Sequence, residues 1–180
     1  MNSAVRMAFL EHASYCQQLG SPFTATICQL LADRLDERHG SIAQDILAWS
    51  GDPAIGGDAL ALRVAGALHH LARDQRHVGL AAQYPPQSAL DRDALWNCIV
   101  DALGSQAASI HDYLSRSPQN NEATRAAALL PAMLIASQRF GLPLALYELG
   151  AAAGLNLVPY RYQYRFGDAS LGDQHAQLSL

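Results

Sequence analysis

From Val5 to Phe140 the apolar positions recur every three or four residues, the spacing of one face of an α-helix. Val5, Phe9, Ala13, Cys16 and Leu19 trace the first stripe, and Gly20 closes it. Ser21-Pro22 restarts a helix, with serine as cap and proline in the first turn, and Phe23, Ile27, Leu30, Leu31 and Leu35 form its apolar side. After Gly40-Ser41, the residues Ile42, Ile46, Leu47 and Trp49 predict a short third helix, ended by Ser50-Gly51-Asp52-Pro53. A fourth helix is predicted from about Asp58 to Gln75 on Leu60, Val64, Leu68 and Leu71. Beyond the Tyr84-Pro85-Pro86 loop, Asp91 caps a long helix through about Ser115, with Leu95, Ile99, Leu103, Ala107, Ile110 and Leu114 as its stripe. Asn120 or Asn121 caps the sixth helix, where Glu122 suits the positive helix start. That helix carries Ala126 to Leu130, meets Pro131 and resumes through Met133, Leu134, Ile135 and Phe140. An internal proline costs about 3 kcal/mol unless packing compensates.

The pattern changes at Gly141, a good helix terminator, and Pro143 blocks continuation. Leu144, Ala145, Leu146, Tyr147 and Leu149 form a nearly continuous apolar run, which predicts a short strand buried on both faces, as in a parallel sheet. Its one charge, Glu148, lies near its end. Gly150 to Gly154 then offer no side chain larger than methyl, so a ligand can approach the backbone closely. A helix opening after such a turn would present free N–H groups to an anion. Tyr160, Tyr162, Tyr164 and Phe166 place an aromatic at every second position, with Arg161, Gln163 and Arg165 on the other face, which predicts a second strand. Gly167-Asp168 is a turn signal. The expected fold is therefore mainly α: about six helices in a helical domain over residues 1–140, followed over 141–180 by the first strands of an apparently incomplete Rossmann-like α/β unit.

Composition narrows the function classes. The chain has 180 residues, half of them hydrophobic, and only 16% are charged. A net charge of −4 without a basic stripe argues against nucleic acid as a partner. No window reaches the ~18 uninterrupted apolar residues of a membrane span, and the N-terminus has no secretory pattern. A cytoplasmic, bacterial-type protein is the default expectation. Cys16, Cys28 and Cys98 are odd in number and unclustered, which suits idle thiols better than a disulfide framework. His69, His70 and His77 lack the spacing of a metal set, except loosely for His70 with Asp74, so no metal is expected. A hydrolase is disfavoured, because the sequence has no Gly-x-Ser-x-Gly elbow and Cys98 no histidine signature.

Glu148, Gly150, Ala152 and Gly154 follow the spacing acid-x-Gly-x-Ala-x-Gly. This resembles the first motif of Rossmann-like S-adenosylmethionine methyltransferases, with Ala152 in place of the middle glycine. A plain packing turn is the alternative reading of the same residues. The wider segment, SPQNNEATRAAALLPAMLIASQRFGLPLALYELGAAAGLNLVPYRYQYRFGD, resembles the bacterial domain-of-unknown-function family 2332. Cys16 with Leu19 to Pro22, and Leu62-Arg63 with Ala67 to His69, are similar to its N-terminal half, so the resemblance covers nearly the whole chain. Asn120 stands where the family has threonine, Ala152 where it has serine, and Tyr160 after Pro159 where it has aspartate. Family members run well beyond this length.

The resemblance implies an N-terminal helical region joined to a methyltransferase-like part. By that analogy Glu148 faces the methionine amino group of S-adenosylmethionine, Gly150, Ala152, Gly154 and Asn156 line the cofactor, and Asp168 takes the ribose hydroxyls. Gln119, Asn121, Glu122 and Arg125, just before a helix, frame the rim. Capping plus a Glu122–Arg125 ion pair is the equal alternative for that cluster. Two functions compete. One is the ligand-binding, N-terminal part of a methyltransferase-like enzyme that does not turn over by itself, with a missing C-terminal half. The other is a helical interaction module or truncated remnant without ligand, whose exposed apolar area favours homo-oligomers.

Overall fold

A computed structural model of the chain describes residues 3–86, 90–118 and 122–180. Among them the chain is mainly helical and divides into two compact units, residues 1–118 and 119–180. The helix that ends at Phe140 therefore counts with the second unit.

The first unit holds α1 (Ser3–Gln18), α2 (Pro22–Arg34), α3 (Ser41–Leu47), α4 (Leu60–Arg73), α5 (Val78–Ala81), α6 (Arg92–Ser105) and α7 (Ala107–Leu114). Gly20, at φ +74°, turns α1 into α2, and Ser21 N–H bonds back to the Cys16 carbonyl at 2.8 Å. Pro22 opens α2 as expected, but Ser21 makes no side-chain cap. Asp91 does cap α6, accepting from Asp93 N and Ala94 N. The single long helix expected from Asp91 to Ser115 is two, broken at Gln106 (φ −115°, ψ 23°). The apolar stripe ran through the break because α6 and α7 both face one core. The short α5 also escapes the sequence pattern, since four residues are too few to show a period.

α4 is the centre of this unit. Nine of its fourteen residues are buried, and it packs against α1, α2, α5 and α7. Val64, Leu68 and Leu71 are wholly inaccessible and meet Phe9, Leu30, Leu95 and Ile99 in one continuous core. Truncating a residue such as Leu68 to alanine costs about 2–5 kcal/mol.

The second unit begins its regular structure with α8 (Arg125–Phe140), which runs unbroken through Pro131 and ends at left-handed Gly141 (φ +62°). Residues 119–121 lie outside the described residues, so the asparagine cap does too; the described N-cap is Thr124, without a side-chain cap bond. Two strands follow, β1 (Gln163–Phe166) and β2 (Ala169–Gly172), antiparallel with Gln163 opposite Gly172 and Phe166 opposite Ala169. Gly167-Asp168 is their hairpin turn. Leu180 closes the other edge of β1, donating to the Gln163 carbonyl at 2.8 Å and accepting from Arg165 N at 2.9 Å.

The strand expected over Leu144–Leu149 is not one. Residues 143–148 join no ladder among the described residues, and Tyr147 and Leu149 are fully exposed. A strand buried on both faces needs a neighbour on each edge, and β1 pairs with β2 instead. The aromatic alternation holds over part of its length: Tyr162 and Tyr164 are buried, whereas Pro159–Arg161 is a 3-10 turn and Tyr160 is exposed. With Ala126, these two tyrosines form the buried centre of the unit, and Leu130, Val158 and Leu180 pack on it.

Candidate functional site

The turn after Glu148 is built from backbone shape. Gly150 (φ +70°), Ala152 (φ +49°) and Gly154 (φ +70°) are all left-handed, at alternate positions. Two tight bonds fix the bend, Gly154 N to Ala151 O at 2.7 Å and Leu157 N to Gly154 O at 3.0 Å. Glycine adopts this region without strain, and alanine pays a steric cost. A Cβ on Gly150 would meet nothing within 4 Å, so the outer side of the bend is open. The turn leads into the 3-10 segments Leu155–Leu157 and Pro159–Arg161, not into an α-helix. The helix start expected to hold an anion is therefore replaced by two short turns without a helix dipole.

The bend returns the chain so that Asn156 Nδ2 donates to Glu148 Oε1 at 3.0 Å. Asn156 is 6% exposed and Glu148 half-buried. The carboxylate's other oxygen, Glu148 Oε2, and the amide oxygen, Asn156 Oδ1, are buried and have no hydrogen-bond partner. Buried polar atoms are nearly always paired, so two orphan acceptors on one hydrogen-bonded pair are unusual. Tyr162 holds the far end, donating to the Leu155 carbonyl at 2.7 Å, and Tyr164 donates to the Pro159 carbonyl at 2.7 Å. A cleft of about 590 Å³ opens beside this segment, lined by Leu155, Val158, Tyr160, Arg161, Tyr162 and Asp173 among others.

Of the sequence-predicted site residues, the fold brings Glu148 and Asn156 into contact, on a bend shaped by Gly150, Ala152 and Gly154. Asp168 stands exposed in the hairpin turn. Glu122 accepts from Thr124 Oγ1 at 2.7 Å and lies 3.6 Å from Arg125, the ion pair at helical spacing. Gln119 and Asn121 lie outside the described residues. Sequence reasoning gave Asn156 no partner of its own. The signal was present: an amide eight residues beyond an acid, across a turn of glycines and alanines.

Other groups are already partnered. His77 accepts from Leu80 N through Nδ1 and faces Asp101 through Nε2, each at 2.9 Å. His70 lies 3.3 Å from Asp74. Burial, with Cys16 adding, pushes the Cys28 thiol up to about 12, so it holds no thiolate at neutral pH. Among the described residues no three His, Cys, Asp or Glu side chains converge as a metal site, and no helix is long and apolar enough to cross a membrane.

The chain is thus mainly helical, with a small hairpin unit and an ELGAAAGLN bend at residues 148–156. Residues 6–180 match the model of a family described as an uncharacterized protein conserved in bacteria (DUF2332), and the chain belongs to that family. No curated protein and no solved structure matches it.

Proposed function

We infer that the Glu148–Asn156 bend is the polar anchor of a small-molecule site of the S-adenosylmethionine-binding kind. The observation that carries this reading is the pair of orphan acceptors, Glu148 Oε2 and Asn156 Oδ1. An ammonium group offers three donors and no acceptor, so it satisfies both oxygens at once. The methionine end of the cofactor carries such a group. The open backbone at Gly150 admits a ligand edge where any larger side chain would intrude. A cleft of the size usual for small-molecule sites starts at Leu155, next in the chain to Asn156, although Glu148 and Asn156 themselves do not line it. The cofactor's own chemistry is donation of a methyl from its sulfonium. The part of Glu148 and Asn156 is to bind and orient the amino acid end, and Tyr162 keeps the bend in place from the Leu155 carbonyl.

Isothermal titration of the full chain with S-adenosylhomocysteine tests this. Saturable heat is expected, and Glu148→Gln should weaken binding by about tenfold or more, the usual weight of a charge-assisted bond. A folded sample that releases no heat at high ligand concentration counts against the site.

A second reading has its own observation. Ile135, Phe140 and Leu142 are each about two-thirds exposed, and Tyr147 and Leu149 fully so. Several large apolar side chains left in water within one short segment favour contact with another protein surface. On this reading the second unit is an interaction module, and the chain self-associates when alone. Light scattering at several protein concentrations measures that.

A further inference from the structure

His12 lies on α1 in the first unit, far along the sequence from the bend. It is 7% exposed, and its Nε2 is buried without a partner. The ring is the polar point of two hollows that share Ala8, His12 and Ile55 as walls. The larger hollow, about 360 Å³, is completed by Glu11 and Tyr15. The smaller one, about 10 Å³, is walled by apolar side chains, among them Pro53, Ala61 and Leu62. Ile55 is itself 57% exposed, on the segment between α3 and α4. The larger hollow thus already reaches the His12 side chain, with Ile55 as an apolar wall.

The chemistry of the walls selects a ligand class. Tyr15 lies 6.4 Å from the His12 ring, centroid to centroid, and is half-exposed, so an aromatic surface borders the hollow beside Ile55. Glu11 puts the one formal charge, a negative one, at the rim. Burial lowers the His12 pKa, so the ring is neutral at pH 7 and one of its nitrogens is an acceptor. We propose that this hollow binds a small aromatic amine: its apolar body against Tyr15 and Ile55, its ammonium between the Glu11 carboxylate and the His12 ring nitrogen. The ligand donor selects the tautomer whose lone pair is on Nε2, and the orphan atom gains its partner.

Chemical-shift mapping of the full chain with phenethylamine tests the proposal, with phenylacetate as the anionic control of similar shape. Saturable shifts centred on Ala8, His12, Tyr15 and Ile55 are expected, with a dissociation constant of about 1 mM for so small a probe. Glu11→Gln, on the surface, should weaken binding about two- to fivefold, and Ile55→Ala should weaken it too by removing an apolar wall of the hollow. His12→Phe keeps a ring of similar breadth without the nitrogen and should abolish the shifts. Equal response to phenylacetate, no saturable shift at these residues, or unchanged binding in His12→Phe overturns the site. If His12→Phe fails to fold, an unchanged affinity in Glu11→Gln overturns it.

Discussion

Arg63 donates from Nη1 to the carbonyl of Leu114 at 2.8 Å, closing the C-terminal end of α7 with a side chain from α4. The same guanidinium donates from Nε to the Asp58 carbonyl and lies over the Trp49 ring at 5.7 Å. Trp49 Nε1 in turn donates to Asp58 Oδ2 at 2.9 Å. One buried cation thus ties the α3–α4 connection to the end of α7. Arg63→Ala leaves the Leu114 carbonyl without its donor, and a loss of about 2–4 kcal/mol is expected. Arg63→Lys should recover only part of it, because an ammonium cannot address both carbonyls and stack on an indole. Both tryptophans, Trp49 and Trp96, lie in the first unit. Urea unfolding followed by tryptophan fluorescence therefore reads this unit alone.

Gly172 ends β2 at φ +99°, and a Cβ there would stand 2.2 Å from the Tyr162 carbonyl oxygen. Both the backbone angle and the space forbid a side chain. The obstacle is main chain, so no rotamer relieves it. Gly172→Ala should therefore detach the end of the hairpin, costing about 2 kcal/mol or more. Loss of dispersion in the amide resonances of residues 163–172, with the first unit's spectrum unchanged, is the expected result.

The longer helices of the first unit were legible because each buries one face, and burial writes its period into the sequence. Val5, Phe9 and Ala13, or Leu60, Val64 and Leu68, are spaced as they are for that reason. Gly141 ended α8 as its sequence context implies. The break at Gln106 was not legible, because a change of helix direction need not interrupt the apolar stripe. The run Leu144–Leu149 misled for a different reason. Apolar content signals a demand for burial, but it does not say whether the neighbours that would satisfy it are present. At the bend, Glu148 and its glycines stood out by composition, whereas the Glu148–Asn156 bond depends on left-handed angles at Gly150, Ala152 and Gly154 that spacing alone does not specify.

Ala152 makes those angles testable. It is a left-handed alanine (φ +49°) between two left-handed glycines. Ala152→Gly removes the steric strain but adds freedom to the unfolded chain, and these terms are each about 1 kcal/mol. Near-neutral stability is expected, within about 0.5 kcal/mol. Ala152→Val, branched at Cβ, should be strongly unfavourable in the same region. Thermal unfolding of the two variants, compared with the parent chain, distinguishes a required left-handed bend from a loop that accepts any backbone shape.

Acid should weaken the first unit through His12. Burial disfavours the imidazolium, so folded His12 binds its proton more weakly than the unfolded chain does, relative to the ordinary value of 6.5. Its contribution is whole above about pH 6.5 and declines as the pH falls below that, until the lowered folded pKa is reached. For one proton the slope is at most about 1.4 kcal/mol per pH unit. His12→Phe cannot take up the proton, so its stability should vary less between pH 7.5 and pH 5 than that of the parent chain. Urea midpoints at both pH values measure the difference, and parallel curves would exclude His12 as the group responsible.

The exposed apolar side chains of the second unit give the last expectation. Ile135 and Phe140, on α8, are 65% and 67% exposed, so they contribute little to the fold of the isolated chain. Replacing both by glutamine should therefore leave the unfolding transition within about 0.5 kcal/mol of the parent. If these residues form a self-association surface, the same replacement removes apolar area from both copies and should lower the concentration-dependent mass seen by light scattering. Full retention of that mass in the double variant would move the contact elsewhere on the chain. A parent chain that stays monomeric at every concentration would remove the self-association reading altogether, leaving these side chains to a different partner surface.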